Sequence, residues 1–528
     1  MSAHLAIAPI LIPLATAALQ LLTGSRHWRL RAFLSLASCL LLVLVAIALL
    51  CVVVDPGTTA DRTLVYNLGS WPAHLAIVLV VDRLAVLMLL LTAVLALTVM
   101  PYALGRWRFM GVFMQPLMQL LLVGFNGSFL TGDLFNLFVF FEVLLAASYG
   151  LALYGSGPRR VSASLHYIVI NLAASLLFLL GVSLIYAATG SLNMAVLARL
   201  LPTMSDAART LLHVGAALLG MAFLIKAAVW PLGFWLPRTY GAATPPVAAL
   251  FALMTKLGVY VLLRLSLLLF GAGAGAASAH FGSDWLLWAG IVTLAVGSIG
   301  MLGARELGRL AGYYVLVSSG TLVGAIALQQ PAVTAGALAY LVISVLGIAA
   351  FFLLTGLIVV QVEPDDEGQL EPYNPTDTPL YAEEDERLVT TPVPIVILGS
   401  CFLICALLLA GLPPLAGFLA KFAMLAPMLA AGAGARLLFA LIIAAGLCTL
   451  IALCRAGIQI FWADTEWTFP HVRTSETAAV IVLLGICTVF TFVVAAPWAY
   501  LSATARQVHA PEHYYIQAVL PADEGDDP

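Results

Sequence analysis

The chain is short of charge. Only 9% of its 528 residues are Asp, Glu, Lys or Arg, against about a quarter in a soluble globule, which excludes a water-soluble fold. Lysine is scarcest, with three positions in the whole chain: Lys226, Lys256 and Lys421. The seven cysteines are scattered through apolar runs without a CxxC pair, so no zinc or iron–sulfur site is visible. Cys401 and Cys405 stand one helical turn apart, a spacing read as packing. A net charge of −3 offers no basic patch for nucleic acid. P-loop and dinucleotide motifs are missing too, so no nucleotide drives the protein and no cofactor is implied. The N-terminus lacks a basic n-region and cleavage site and reads as the start of a span.

What is present is apolar. Hydrophobic residues make up 62% of the chain, and the mean hydropathy is +1.06. At about 20 residues per span, the length accommodates about fourteen transmembrane helices and little else. Span 1 is expected over 4–23, span 2 over 32–54 and span 3 over 77–100, with a polar loop at 55–74. Spans 4 to 7 follow over 110–130, 132–154, 162–188 and 207–230, with a short amphipathic helix in 190–202. Spans 8 to 11 read as 242–269, 285–303, 310–328 and 333–360. After an acidic loop at 363–387 come span 12 (393–425), span 13 (435–461) and span 14 (478–500), then a tail ending in DEGDDP. Arginines gather after the odd-numbered spans, as with Arg29, Arg31, Arg106, Arg108, Arg159, Arg160, Arg305 and Arg309. The positive-inside rule makes that side cytoplasmic and both termini periplasmic.

Lysine ordinarily lies at the surface. An ammonium at mid-membrane costs about 3 kcal/mol on insertion scales, so each of the three must face a partner or a wet cavity. Glu142, in the middle of span 5, is the carboxylate placed to answer Lys226. The order Glu142, Lys226, Lys256, Lys421 suggests a lateral proton relay in the membrane plane. Two segments echo one another: ATPPVAALFALMTKLG around Lys256 and GLPPLAGFLAKFAM around Lys421. Proline breaks the helical ladder, and paired interruptions point to an ion path. Breaks are therefore expected at Pro245–Pro246 and Pro413–Pro414. His166 and His213 fall inside spans and have a side chain suited to relay near neutrality. Asp133 is either a span-start residue or a vestibule acid. Ser318, Ser319 and Thr321 are candidates to hold water in span 10.

The stretches TGDLFNLFVFFEVLLAASYGLALYG, LHYIVINLAASLLFLLGVSLIYAATGSLNMA, FWLPRTYGAATPPVAALFALMTKLGVYVLLR and LLLAGLPPLAGFLAKF resemble the D subunits of the Mrp-type (Pha- or Mnh-type) cation/proton antiporters. The closing HYYIQAVL is similar to the end of proteobacterial Pha-type D subunits. A more distant likeness is to the antiporter-like subunits of respiratory complex I. The resemblance implies an all-α integral membrane protein of fourteen helices. Spans 1–3 would occupy 1–109, a first five-helix repeat (spans 4–8) 110–270, an inverted second repeat (spans 9–13) 285–461, and span 14 with the tail 478–528. Each repeat would hold a broken helix.

It further implies that Glu142 and Lys226 are the coupling pair, Lys256 the central relay and Lys421 the terminal site. The protein would be a transporter subunit, not an enzyme, in a bacterial inner membrane. It would work with other subunits (A, C and others) to exchange Na⁺ or K⁺ for protons under the proton motive force. The class-level alternative is the membrane arm of a complex I-like or hydrogenase-type redox enzyme. One departure stands out. Many relatives place a histidine in span 11, where this chain has Ile343 followed by Ser344.

Overall fold

The computed structural model describes residues 2–23, 27–54, 63–70, 77–105, 113–155, 157–359, 393–461 and 473–520. Arg106, Arg108, the acidic loop at 363–387 and the DEGDDP tail lie outside them. The chain is built from helices because a spanning segment in lipid must satisfy every backbone group internally. In order they are α1 (Ser2–Leu5), α2 (Ala8–Leu22), α3 (Trp28–Val53), α4 (Arg83–Gly105), α5 (Met114–Leu130), α6 (Leu134–Ala152) and α7 (Pro158–Thr189). Next come α8 (Met194–Leu200), α9 (Asp206–Lys226), α10 (Leu236–Ala242), α11 (Pro245–Leu268), α12 (Ser283–Gly303), α13 (Leu307–Ala327) and α14 (Pro331–Val359). Then come α15 (Val393–Ala410), α16 (Ala416–Met428), α17 (Ala433–Phe461), α18 (Thr474–Phe492), α19 (Ala495–His509) and the short α20 (Gln517–Val519). Eleven of these, among the described residues, are long and apolar enough to cross a membrane by themselves.

Before α4 the chain forms an antiparallel hairpin of β1 (Leu64–Asn67) and β2 (Val78–Val81), pairing Leu64 with Val81 and Asn67 with Val78. The expected polar loop and the first residues of span 3 are thus partly strand. This hairpin marks one face of the bundle.

At the centre stands α11, whose residues from Pro246 to Leu268 are all buried. It packs against α4, α9, α13 and α14. Lipid-sized apolar side chains remain exposed on the outer helices, among them Leu176 on α7, Ile299 on α12 and Leu447 on α17. Helices α18 and α19 close over α14 and α4. Residues 478–500 were expected as one span, but the helix ends at Phe492 and a separate one starts at Ala495.

Among the described residues, two further interruptions fall beside lysines. Downstream, α15 stops at Ala410 and α16 begins at Ala416, so Pro413 and Pro414 sit in a break as expected. Upstream the expectation needs correcting. Pro245 and Pro246 occupy the first turn of α11, after Thr244 as N-cap, where a missing N–H costs nothing. The interruption lies earlier, in the residues 227–235 that separate α9 from α10. It begins directly after Lys226.

Candidate functional site

Glu142 lies halfway along α6, half-buried beside the buried Phe141. Its Oε1 accepts a 2.5 Å hydrogen bond from Ser175 Oγ on α7. Lys226 is the last residue of α9 and 5% exposed. Its ammonium has no hydrogen-bond partner among the described residues and lies 5.2 Å from the centre of the Phe141 ring. The Phe141, Phe178 and Phe223 rings pack together here, with centroids 5.1 to 6.3 Å apart. Lys226 stands beside the Phe141 ring, next in sequence to Glu142, but the two charges do not form a contact ion pair. The expected coupling pair is brought into one neighbourhood and held apart within it.

Lys256, on α11, is fully buried. Its Nζ donates a long, 3.5 Å hydrogen bond to Ser319 Oγ of α13. The helix bearing it comes close to the end of α9 because Gly258 has no side chain. A Cβ there would stand 2.8 Å from the Ala227 nitrogen.

Lys421, on α16, is caught by the break. Its Nζ donates to Ala410 O at 2.8 Å and Leu409 O at 3.2 Å. These carbonyls close α15, where the helix leaves its acceptors unpaired and its dipole is negative. Gly411, at φ 78°, makes the approach possible. A Cβ on it would fall 2.6 Å from Lys421 Cδ. Tyr314 of α13 donates to the same Leu409 O at 2.8 Å.

The three lysines therefore have three environments: an aromatic wall facing a carboxylate, a hydroxyl, and a helix end. Between Lys256 and Lys421 lie further hydroxyls. Ser318 Oγ and Tyr340 OH are buried without a hydrogen-bond partner among the described residues. Leaving such a group unsatisfied costs about 1–3 kcal/mol. Ser344, by contrast, spends its hydroxyl on Leu341 O of its own helix at 3.0 Å, and Thr321 does likewise with Val317 O at 2.8 Å.

The remaining candidates are not gathered here. His166 is exposed on α7, its Nδ1 against Ser162 O at 2.7 Å. A helix face turned outward cannot feed an interior relay. His213 stacks on Phe281 at 4.3 Å and meets Ser278 Oγ at 3.0 Å. It lies 13 residues from Lys226 on α9, about 20 Å away. Asp133 is the N-cap of α6, accepting from the backbone N–H of Phe135 and of Asn136 at 2.8 and 2.9 Å. Burial raises its pKa, and those two N–H groups partly counter the rise.

Sequence reasoning missed an ion pair. Arg264, two turns beyond Lys256 on α11, binds Asp82 through both guanidinium nitrogens, with its Nη2 2.9 Å from Asp82 Oδ1. The same Nη2 donates to Tyr260 OH at 2.9 Å. The guanidinium is flanked by the rings of Tyr260 and Tyr515, at 5.3 and 5.2 Å. The visible signal was an Arg within VYVLLRLSLL answering the Asp of VLVVDR, but neither stretch names its partner.

The chain as a whole is similar to known proteins. Residues 131–448 match the family model described as NADH:quinone oxidoreductase/Mrp antiporter, TM. A relative from Rhizobium meliloti (strain 1021), named as the probable D subunit of a K(+)/H(+) antiporter, is 49% identical over 96% of each chain. The D subunit of the Na(+)/H(+) antiporter of Bacillus subtilis (strain 168) is 34% identical over 97% of this chain and 99% of its own. Among solved structures, a chain of the Mrp complex from Dietzia sp. DQ12-45-1b superposes with a TM-score of 0.81 at 27% identity, covering 98% of this chain and 99% of that one.

Proposed function

The chain belongs to the NADH:quinone oxidoreductase/Mrp antiporter membrane family, and because it is similar along nearly its whole length to named antiporter D subunits, we propose that it is such a subunit and carries the protons in exchange for K⁺ or Na⁺. The proton enters at Glu142 and Lys226, passes to Lys256 and leaves by way of Lys421. The observation that supports this reading is the burial of all three lysines in one connected interior, each with a different and incomplete set of partners. A fixed structural cation is normally saturated with acceptors. These are not, and an ammonium short of acceptors gives up its proton more readily.

The separation of Glu142 from Lys226 supplies a switch. When Glu142 is charged, its field holds the proton on Lys226. When Glu142 takes a proton, that hold is lost and the Lys226 proton is free to move inward. The protein acts as a transport component with no bond chemistry of its own, inside a multi-subunit complex. Its place is a bacterial inner membrane, with the hairpin face and both termini periplasmic. The five-helix repeats are read as α5 to α11 and α12 to α17, each containing one of the two interrupted helices. A redox-driven role is disfavoured by the full-length relatives, which are named antiporter subunits.

The test is antiport in everted vesicles from an antiporter-deficient host carrying the whole operon. A pH-gradient dye reports additions of K⁺ or Na⁺. Cation-dependent dequenching that disappears with Lys226→Ala or Glu142→Ala, in an assembled complex, is the expected result. Unchanged dequenching in both variants would remove these residues from the path.

A further inference from the structure

Two buried hydroxyls without a hydrogen-bond partner among the described residues, those of Ser318 and Tyr340, lie on helices next to those of Lys256 and Lys421. Lys256 is on α11 and Lys421 on α16, and α13 and α14 stand between them. Ile343, buried on α14, offers no polar atom. Ser318 and Ser319 are neighbours on α13, and consecutive helical residues point about 100° apart. One can therefore face α11 while the other faces α14. Ser319 takes the α11 side and receives Lys256 Nζ at 3.5 Å. Ser318 takes the other, with no hydrogen bond of its own among the described residues.

Tyr340 answers it from α14. It is 2% exposed, and its hydroxyl is adjacent to those of Ser318, Thr321 and Tyr314 yet outside hydrogen-bond geometry with each. Its ring lies 6.0 Å from Lys421 Nζ. Tyr314 completes the approach by sharing the Leu409 carbonyl with Lys421.

We propose that Ser318 and Tyr340 form the hydroxyl bridge that passes protons between Lys256 and Lys421, a bridge that rests on the relay reading given above. Each hydroxyl takes a proton on its oxygen from the Lys256 side while its own O–H bond breaks toward the Lys421 side. Neither gains net charge, and nothing is oxidised or reduced. Water completes the contacts that the two side chains leave open, since a buried water needs two or more polar partners and this cluster supplies them. A hydroxyl bridge differs from an imidazole in one respect: it stores no proton near neutrality, so transfer across it is concerted.

The test uses the whole complex in everted vesicles, with Tyr340→Phe, Ser318→Ala, Ser318→Thr and Lys256→Ala beside wild type. Tyr340→Phe keeps the ring over Lys421 and removes only the hydroxyl. Its cation-dependent antiport should fall about tenfold or more, with Ser318→Ala falling similarly and Ser318→Thr keeping the rate. The wild-type rate should slow in D₂O, and the residual rate of Tyr340→Phe should show a different solvent isotope effect. A smaller loss in Tyr340→Phe, with Lys256→Ala inactive, overturns the bridge and leaves the lysine relay standing. An active Lys256→Ala overturns both. If Tyr340→Phe fails to assemble, Ser318→Ala against Ser318→Thr decides: equal rates overturn the bridge.

Discussion

Ser175 Oγ donates a 2.5 Å hydrogen bond to Glu142 Oε1, and Lys226 does not reach that carboxylate. The acid of the first site is thus oriented by a neutral donor on α7. Its cation waits on α9, against the Phe141 ring. A contact ion pair in an apolar interior would be hard to open. In the relay proposed above, holding the partners apart would keep their coupling while lowering the barrier to each new proton.

This arrangement makes Ser175 testable. A hydrogen bond to a charged group contributes about 1.5–3 kcal/mol. Ser175→Ala should therefore slow antiport by roughly one to two orders of magnitude, with the complex intact. Glu142→Gln should abolish it. Dye dequenching in everted vesicles measures both, and equal rates for Ser175→Ala and wild type would show that the donor is dispensable.

The Asp82–Arg264 pair answers to stability. Both side chains are buried, and removing one partner of such a pair leaves an uncompensated charge costing about 3–5 kcal/mol. Asp82→Ala and Arg264→Ala should each lower the thermal inactivation temperature of the purified complex. The double replacement should be less harmful than the two single losses added together. Additive losses would show that the two charges do not depend on each other.

Gly411 is constrained twice. Its φ of 78° disfavours any Cβ, and that Cβ would meet the Lys421 side chain. Gly411→Ala should cost about 1–2 kcal/mol in backbone conformation and push Lys421 off the α15 carbonyls. Antiport should fall further than stability does. Thermal inactivation and vesicle antiport, measured on one preparation, separate the two effects.

Acid should loosen α19. His509 Nε2 pairs with Thr334 Oγ1 at 2.9 Å, and burial lowers its pKa to about 4 from the ordinary 6.5. The unfolded or undocked segment binds the proton first, so docking is fully stabilised above pH 6.5 and weakens as pH falls toward about 4. Hydrogen exchange across α19 should rise over that window in wild type and lose the dependence in His509→Gln. Flat protection in wild type would mean that another contact governs docking.

Isolated charges in mid-span were legible, although the Asp82–Arg264 pair, split between two distant runs, was not. Glu142, Lys226, Lys256 and Lys421 stand out against their neighbours, and lipid gives each a cost that demands a reason. Hydroxyls carry no such mark. Ser175, Tyr314 and Tyr340 resemble the many hydroxyl residues that bond their own helix, as Ser344 and Thr321 do. Only the packing separates the two groups. The misplaced break has a similar origin. Pro245–Pro246 drew attention through its echo of Pro413–Pro414, but a proline pair starts a helix as readily as it stops one. The informative signal lay in AAVWPLGFW, which carries Pro231 and Gly233 directly after Lys226. A titratable residue within a span still needs the right face and the right level of its helix: His166 faces outward, and His213 stands 13 residues from Lys226.

The contacts around Arg264 also bear on how the protein is made. Asp82 precedes Arg264 by 182 residues, and the Arg83 amide waits for Gln507, 424 residues later. At ordinary translation speeds that is roughly 20–85 s of synthesis. The helices bearing Glu142, Lys226 and Lys256 are all made within that interval, before the residues that cover their hairpin face. A chain stopped short of Gln507 would carry every relay residue and lack its closure. Nonsense mutations shortly before Gln507 should therefore be as damaging as those in the middle.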